Sequence, residues 1–394
     1  MPFRFVSTSA PASPPAKAIP FHVATGCLSG DYDGVFISTD LEPDDALALA
    51  FLAPKLRGVP LLCVVGEGPV DKREMMANLL ASFGIDSLAV VLQGKTSAVP
   101  FPSGVAESYH DAARPHACTL REGGDDAVAK AIDEFLTRHD NPFALLLKPP
   151  HELVATAAPL LAKTKAILYG SFNLTCLREV INAEAGGSLD EAALHERQFS
   201  LMAKFGNILW IERSLSVGRD SVLEPRSCPP AIWEAIDGHA ALTRHIQLWN
   251  ASVVREIGAK VAKFPNEIDT ALGPAPAAGG GGAPVTIPTE AYGKLETCTE
   301  KLDKRVKILL SITQCGGRQV CHADTLVAAC LLGEPKLGEF ERPCKLAVDK
   351  KFKPTMEALP GSAVYALVAD AGAPRDALNA ASIAALASVL EVTG

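Results

Sequence analysis

Three aspartates fall within six positions of one another in the stretch Ile37–Leu49, ISTDLEPDDALAL: Asp40, Asp44 and Asp45. The residues before Asp40 are those of a buried strand, and those after Pro43 have helical spacing. Asp40 therefore closes a strand, while Asp44 and Asp45 open a helix. Proline suits the first helical position because its missing N–H has no helical partner there. Two readings of the aspartates stand. In one, Asp44 and Asp45 are ordinary first-turn residues, favoured by the helix dipole. In the other, all three face one crevice, since the carboxyl end of a central strand is where open α/β sheets place ligands. Ionised carboxylates that crowd together repel, so one takes up a proton or a cation sits between them. All-oxygen ligation selects a hard cation, Ca²⁺ or Mg²⁺, rather than zinc.

The elements that must position these groups alternate along the chain. Strands are expected over 34–39, 59–65, 88–92, 143–147, 165–169, 207–211 and 363–369. Helices are expected over 43–56, 70–83, 125–138, 151–161, 189–204, 290–311, 320–332 and 375–390. Short apolar strands alternating with helices predict an α/β fold, a mostly parallel open sheet flanked by helices. Residues 1–33 read as a disordered tail, because 1–30 contain five prolines and no Asp or Glu. Residues 34–394 read as one domain, interrupted at 264–288 by a flexible segment with four consecutive glycines, Gly279–Gly282. No Lys-Ser/Thr follows those glycines, so they are not a phosphate loop.

Composition narrows the function. With 45 acidic against 37 basic residues and a net charge of −8, the chain lacks the basic surplus that nucleic-acid binding needs. No apolar run approaches the ~18 residues of a membrane span. Ten cysteines without a C-x-x-C pair read as reduced thiols in a cytoplasmic protein. Cys315 and Cys321 with His322 lack the spacing of a zinc site. The three tryptophans, Trp210, Trp233 and Trp249, read as core or base-stacking surface. His151 reads as a cap or surface residue and Lys148 as an exposed one.

TDLEPDDALAL resembles the N-terminal fingerprint of the inosine–uridine-preferring nucleoside hydrolases, D-x-D-P-G-x-D-D-A. Asp40, Asp44 and Asp45 match its second, third and fourth aspartates, and Ser38 stands at the first. The Pro-Gly is replaced by Leu41-Glu42. Further stretches follow that family in order: VVGEGPVDKREMMANLLASFG, LLLKPPHELVATAAPLL, ILYGSFN, ILWIERSLSVGRDSVL and CHADTLVAACLLG. The resemblance covers roughly Gly34 to Gly333.

The resemblance implies a nucleoside-hydrolase-like α/β fold and a Ca²⁺ ion held by Asp40, Asp45, the carbonyl of about Leu147, and Asp324. Taken alone, Asp324 is a helix-start charge. The implied reaction is hydrolysis of the N-glycosidic bond of a small-molecule nucleoside or related riboside. In it, Asp40 is the general base and Asp44 holds ribose hydroxyls. His322 is the candidate acid for the leaving base, one position out of register with the family histidine; a packed or capping histidine is the other reading. On the sugar side, Glu67 stands where the family has asparagine, and His151-Glu152 stand for Thr-Asn. Glu184 is placed at the family's Glu, with Gly186 where its Asn would be. Asn173 is a candidate sugar contact without a family counterpart. The resemblance also implies a homo-oligomer, dimer or tetramer. The alternative is a catalytically altered or inactive relative that serves as a metal- or ligand-binding module.

Overall fold

The computed structural model describes residues 18–24, 26–66, 71–94, 116–148, 150–170, 186–187, 189–211, 222–223, 230–260, 320–321, 324–333, 341–348 and 354–367. The strands are β1 (Phe21–Val23), β2 (Gly30–Tyr32), β3 (Gly34–Thr39), β4 (Leu61–Val65), β5 (Ala89–Gln93), β6 (Thr119–Arg121), β7 (Pro142–Leu146), β8 (Lys165–Tyr169), β9 (Asn207–Ile211), β10 (Val222–Leu223), β11 (Val320–Cys321), β12 (Glu341–Val348), β13 (Pro354–Ala358) and β14 (Val364–Leu367). The helices are α1 (Pro43–Leu56), α2 (Arg73–Ser82), α3 (Asp125–Arg138), α4 (Ala158–Ala162), α5 (Glu191–Met202), α6 (Pro230–Gly238), α7 (Ala240–Lys260) and α8 (Asp324–Leu332).

Ten strands form one sheet in the order β13-β12-β14-β9-β8-β7-β3-β4-β5-β6. All neighbours from β14 to β6 are parallel, and β12 and β13 add an antiparallel hairpin at one edge. The fold is therefore α/β, with a mostly parallel sheet flanked by helices. Parallel strands must be covered on both faces, and period-2 alternation sorts their side chains accordingly. Val35, Ile37, Cys63, Val65, Leu145 and Leu209 pack with α1, α2 and α8 on one face. Phe36, Leu62, Val64, Leu146, Leu168 and Trp210 pack with α3 and α5 on the other.

From β3 the chain runs outward through β4, β5 and β6, then returns to place β7 on the opposite side of β3. The order thus reverses between β3 and β7, and such a switch point opens a crevice at the carboxyl ends of the two strands. Asp40 follows β3, and Leu147 follows β7. The register puts Ser38 beside Leu146, and Leu147 N–H donates to the Ser38 carbonyl at 2.9 Å.

Three expectations are corrected. Order begins well inside the expected tail: β1 and β2 pair antiparallel. Phe21 and Tyr32 are buried, and they pack their rings 5.3 and 4.9 Å from Phe143. The expected helix 151–161 is a 3-10 turn at His151–Leu153 followed by the five-residue α4, because Pro159 is accommodated in a first turn but not in a helix interior. The expected helix 320–332 starts only at Asp324, since Val320–Cys321 pairs as a strand with Val222–Leu223. The segment 264–288 and the helices expected over 290–311 and 375–390 lie outside the described residues.

Candidate functional site

Helix α1 is buried on almost every side, from Pro43 to Leu56. Helix α8 is buried from Asp324 through Leu331. Helices apolar all round belong in the interior, and these two pack against each other. Their N-termini meet at the β3 crevice, so Asp44 and Asp45 from one and Asp324 from the other converge. One carboxylate oxygen of each lies within 4.8 Å of the others, and all three residues are buried. Two oxygens each about 2.4 Å from a common Ca²⁺ would be at most about 4.8 Å apart, so this spacing fits such an ion.

The electrostatics agree with that geometry. Burial raises the Asp45 carboxyl well above the usual carboxylate range, and the charges of Asp40, Asp324 and Asp44 push it further, against the Thr39 hydroxyl. Asp324 is raised likewise, by burial and then by Asp44, Asp40 and Glu42. A side-chain hydrogen bond with Asp45 opposes the rise, but among the described residues the fully buried Asp324 Oδ1 has no hydrogen-bond partner. An orphaned carboxylate oxygen facing other carboxylates is costly to leave unmatched. A hard cation fits the all-oxygen set, and Asp44, Asp45 and Asp324 could hold it. Asp40 borders the cluster: its Oδ1 and the Oδ2 of Asp45 both accept from the Glu42 N–H, at 3.4 and 3.1 Å. Asp40 is also the most exposed of the four aspartates.

The connection from β3 to α1 is strained and held from several sides. Leu41 is buried at φ +60°, a conformation that costs a branched residue of order 1–3 kcal/mol and persists only where the surroundings impose it. Thr39 Oγ1 accepts the Leu41 N–H at 2.9 Å and donates to Asp45 Oδ1 at 2.5 Å. The buried Lys72 donates its Nζ to the Asp40 carbonyl, and its own N–H is accepted by Gln93 Oε1 at 2.8 Å. His245 of α7 backs the main chain of Leu41 and Glu42, and burial pushes its imidazole down to about 3, so it is neutral.

The last two side chains of β3 leave by opposite faces. Thr39 turns to Asp45, whereas Ser38 turns to Glu152 after β7. Ser38 Oγ donates to Glu152 Oε1, and Lys148 Nζ donates to both carboxylate oxygens at 3.1 and 2.9 Å. His151 Nδ1 is 3.5 Å from Glu152 Oε2. The Lys148 and Glu152 side chains are 1% and 3% exposed. Burial alone would raise Glu152, but Lys148, His151 and Ser38 outweigh it and hold the carboxyl below its ordinary value. Lys148 and His151 are thus buried, not exposed or capping, because the Glu152 carboxylate compensates the lysine's charge.

The crevice therefore brings together Asp40, Asp44, Asp45 and Asp324, with Leu147 one strand over. His322, Glu67, Asn173 and Glu184 lie outside the described residues. Lys72 has no place in the sequence reading, and Lys148 and Glu152 stand in it singly, the one as an exposed residue and the other at a turn; no local pattern shows that they pair. The exchange of an expected aspartate for Ser38 and of an expected asparagine for Glu152 was their one available signal.

No family model matches this sequence, and no curated protein matches it. Among solved structures, the chain is similar to one described as an inosine-guanosine nucleoside hydrolase, at 14% identity and a TM-score of 0.44. The alignment covers 91% of this chain and 98% of that one.

Proposed function

We propose that this chain hydrolyses the N-glycosidic bond of a ribonucleoside or related riboside with the help of a divalent cation, Ca²⁺ ahead of Mg²⁺. The observation that carries the reading is the convergence of Asp324 with Asp44 and Asp45 at a sheet switch point, with one Asp324 oxygen unmatched among the described residues. The order of motifs along the sequence, which resembles the inosine–uridine-preferring nucleoside hydrolases, supports it. Asp45 and Asp324 are the central ligands, with Asp40, Asp44 and the Leu147 carbonyl around them.

A bound cation would supply a positive centre that lowers the pKa of a water and orients sugar hydroxyls. The remaining work falls to the chain. Asp40, the most accessible of the four carboxylates, takes the proton of the attacking water. Asp44 accepts hydrogen bonds from ribose hydroxyls and so fixes the anomeric carbon above that water. The Asp40–Glu42 turn, held by Thr39, Lys72 and His245, keeps the base from drifting. His322 protonates the departing nucleobase, and Glu67, Asn173 and Glu184 belong to the sugar side of the same reading. Assembly as a dimer or tetramer and a cytoplasmic location complete it; among the described residues, no helix is long and apolar enough to cross a membrane.

The test is release of reducing sugar from a panel of ribonucleosides that includes inosine and uridine, with Ca²⁺ and with chelator. Sugar release that requires Ca²⁺ and is lost in Asp324→Ala is expected. Tight Ca²⁺ binding with no hydrolysis of any riboside would instead make the chain a cation-binding module.

A further inference from the structure

We propose that Glu152 is a positioning residue of the cation centre, acting through Ser38 and Lys148 to lock the end of β7 against the end of β3. The inference rests on the metal-dependent reading above and adds residues to it. Three observations point the same way. Glu152 reaches both strand ends at once, accepting from Ser38 Oγ on β3 and from Lys148 Nζ just after β7. Leu147 lies between these attachments, and its N–H is already bonded to the Ser38 carbonyl. Ser38 directly precedes Thr39, whose hydroxyl holds Asp45. A shift of Ser38 is therefore passed to a carboxylate on one face and to the Leu147 main chain on the other.

The charge pattern explains why a carboxylate and an ammonium are used. A buried Glu without a partner would add a further negative charge beside four aspartates. Lys148 cancels it over a short distance, so the lock is neutral and does not compete for the cation. The lock also accounts for two departures from the family pattern as one exchange. The strand position that would carry an aspartate carries a hydroxyl donor, Ser38, and the turn position that would carry an amide carries its carboxylate acceptor, Glu152. Each change alone would strand a buried polar group, and together they satisfy each other.

Calorimetric titration of the chelator-stripped full chain with Ca²⁺, alongside thermal melts in chelator, tests this. Groups that orient metal ligands cost about 10- to 100-fold in metal affinity when removed. Ser38→Ala keeps the Lys148–Glu152 pair and should bind Ca²⁺ about tenfold more weakly while melting close to the wild type. Glu152→Gln should lose at least as much affinity and also melt lower. Ser38→Thr, which keeps the hydroxyl, should recover most of the affinity lost in Ser38→Ala. Wild-type affinity in both Ser38→Ala and Glu152→Gln would overturn the positioning role while leaving the cation site standing. No Ca²⁺ binding by the wild type itself would overturn the metal-dependent reading and the lock with it.

Discussion

The two faces of β3 end in opposite electrostatic solutions. On the Ser38 face, Glu152 is buried with Lys148 against both its oxygens, and its carboxyl is held ionised below the usual range. On the Thr39 face, the charges that dominate at Asp45 and Asp324 are those of other carboxylates, and both are raised. Both faces are buried to a similar degree, so burial does not separate them. The partner does. A buried charge that the fold intends to keep for itself is matched within the chain. One left facing like charges calls for a proton or for something brought from solution.

The largest effect should come from the unbalanced face. Asp324→Ala removes the carboxylate with the orphaned oxygen, and hydrolysis of a ribonucleoside at saturating Ca²⁺ should fall by about a thousandfold or more, since an electrophilic metal supplies several kcal/mol. The same variant melted in chelator should be no less stable than the wild type, because one of several repelling carboxylates has gone. A large loss of stability in chelator would mean that Asp324 is held by a partner within the chain, and the contrast between the faces would fail.

The balanced face should behave in reverse. Glu152→Leu leaves Lys148 buried without its counter-ion and should cost roughly 3–5 kcal/mol in denaturant unfolding. Lys148→Met combined with Glu152→Leu removes both charges and should recover most of that loss. A double variant as unstable as the single one would show that the pair is needed for its shape and not for its charge balance.

How far the sequence discloses these two faces depends on whether the partners are local. Helix α1 is readable to the residue, Pro43–Leu56, because Pro at its start and the aspartates of its first turn agree with the apolar run behind them. Strands β8 and β9 are equally readable as short apolar runs. Asp40, Asp44 and Asp45 announce themselves by proximity. Asp324 is different, since no local pattern ties it to α1, and only the order of motifs suggests the meeting. The Ser38–Glu152–Lys148 lock is formed by single residues from separate elements, so periodicity cannot show it. Strands of three residues, such as β1 and β2, are too short to alternate visibly. The long helix α7, with His245 at its buried face, mixes polar residues into its apolar spacing and escapes attention for that reason.

Acidity should separate the faces by sign. Asp45 and Asp324 bind protons more tightly folded than unfolded, so their contribution favours folding at low pH and is lost as pH rises through their raised native values. Glu152 is the opposite: its native carboxyl is lowered, so its contribution is present above the ordinary carboxylate range and is lost as pH falls through the native value. Each group acts with a slope of up to about 1.4 kcal/mol per pH unit. In chelator, Asp324→Asn should gain on the wild type as pH rises from mildly acidic to neutral. Glu152→Gln should lose least against the wild type at the acid end. Added Ca²⁺ should raise the wild-type melting temperature most at the higher pH, where the aspartates are ionised. A Ca²⁺ effect that is flat with pH would contradict the raised aspartates.

The smallest expected effect lies where the faces join. Thr39→Val keeps the shape of a buried β-branched side chain but removes two hydrogen bonds, the one given to Asp45 and the one taken from Leu41. The Leu41 N–H then sits buried in a turn at positive φ with no acceptor, which should cost about 1–3 kcal/mol. Asp45 meanwhile loses a hydroxyl that eases its charge, so its carboxyl should rise further. The two consequences can be told apart. The lost Leu41 bond lowers stability with or without Ca²⁺, whereas the change at Asp45 weakens Ca²⁺ binding and should grow as pH falls, because the proton then competes better with the cation. Thr39→Ser, which keeps the hydroxyl and gives up only a methyl group, should retain the pH profile of Ca²⁺ binding while melting slightly lower. If Thr39→Val instead binds Ca²⁺ with unaltered affinity and pH dependence, the Thr39 hydroxyl serves the turn alone, and Asp45 is held in place by the Glu42 N–H and its position in the first turn of α1.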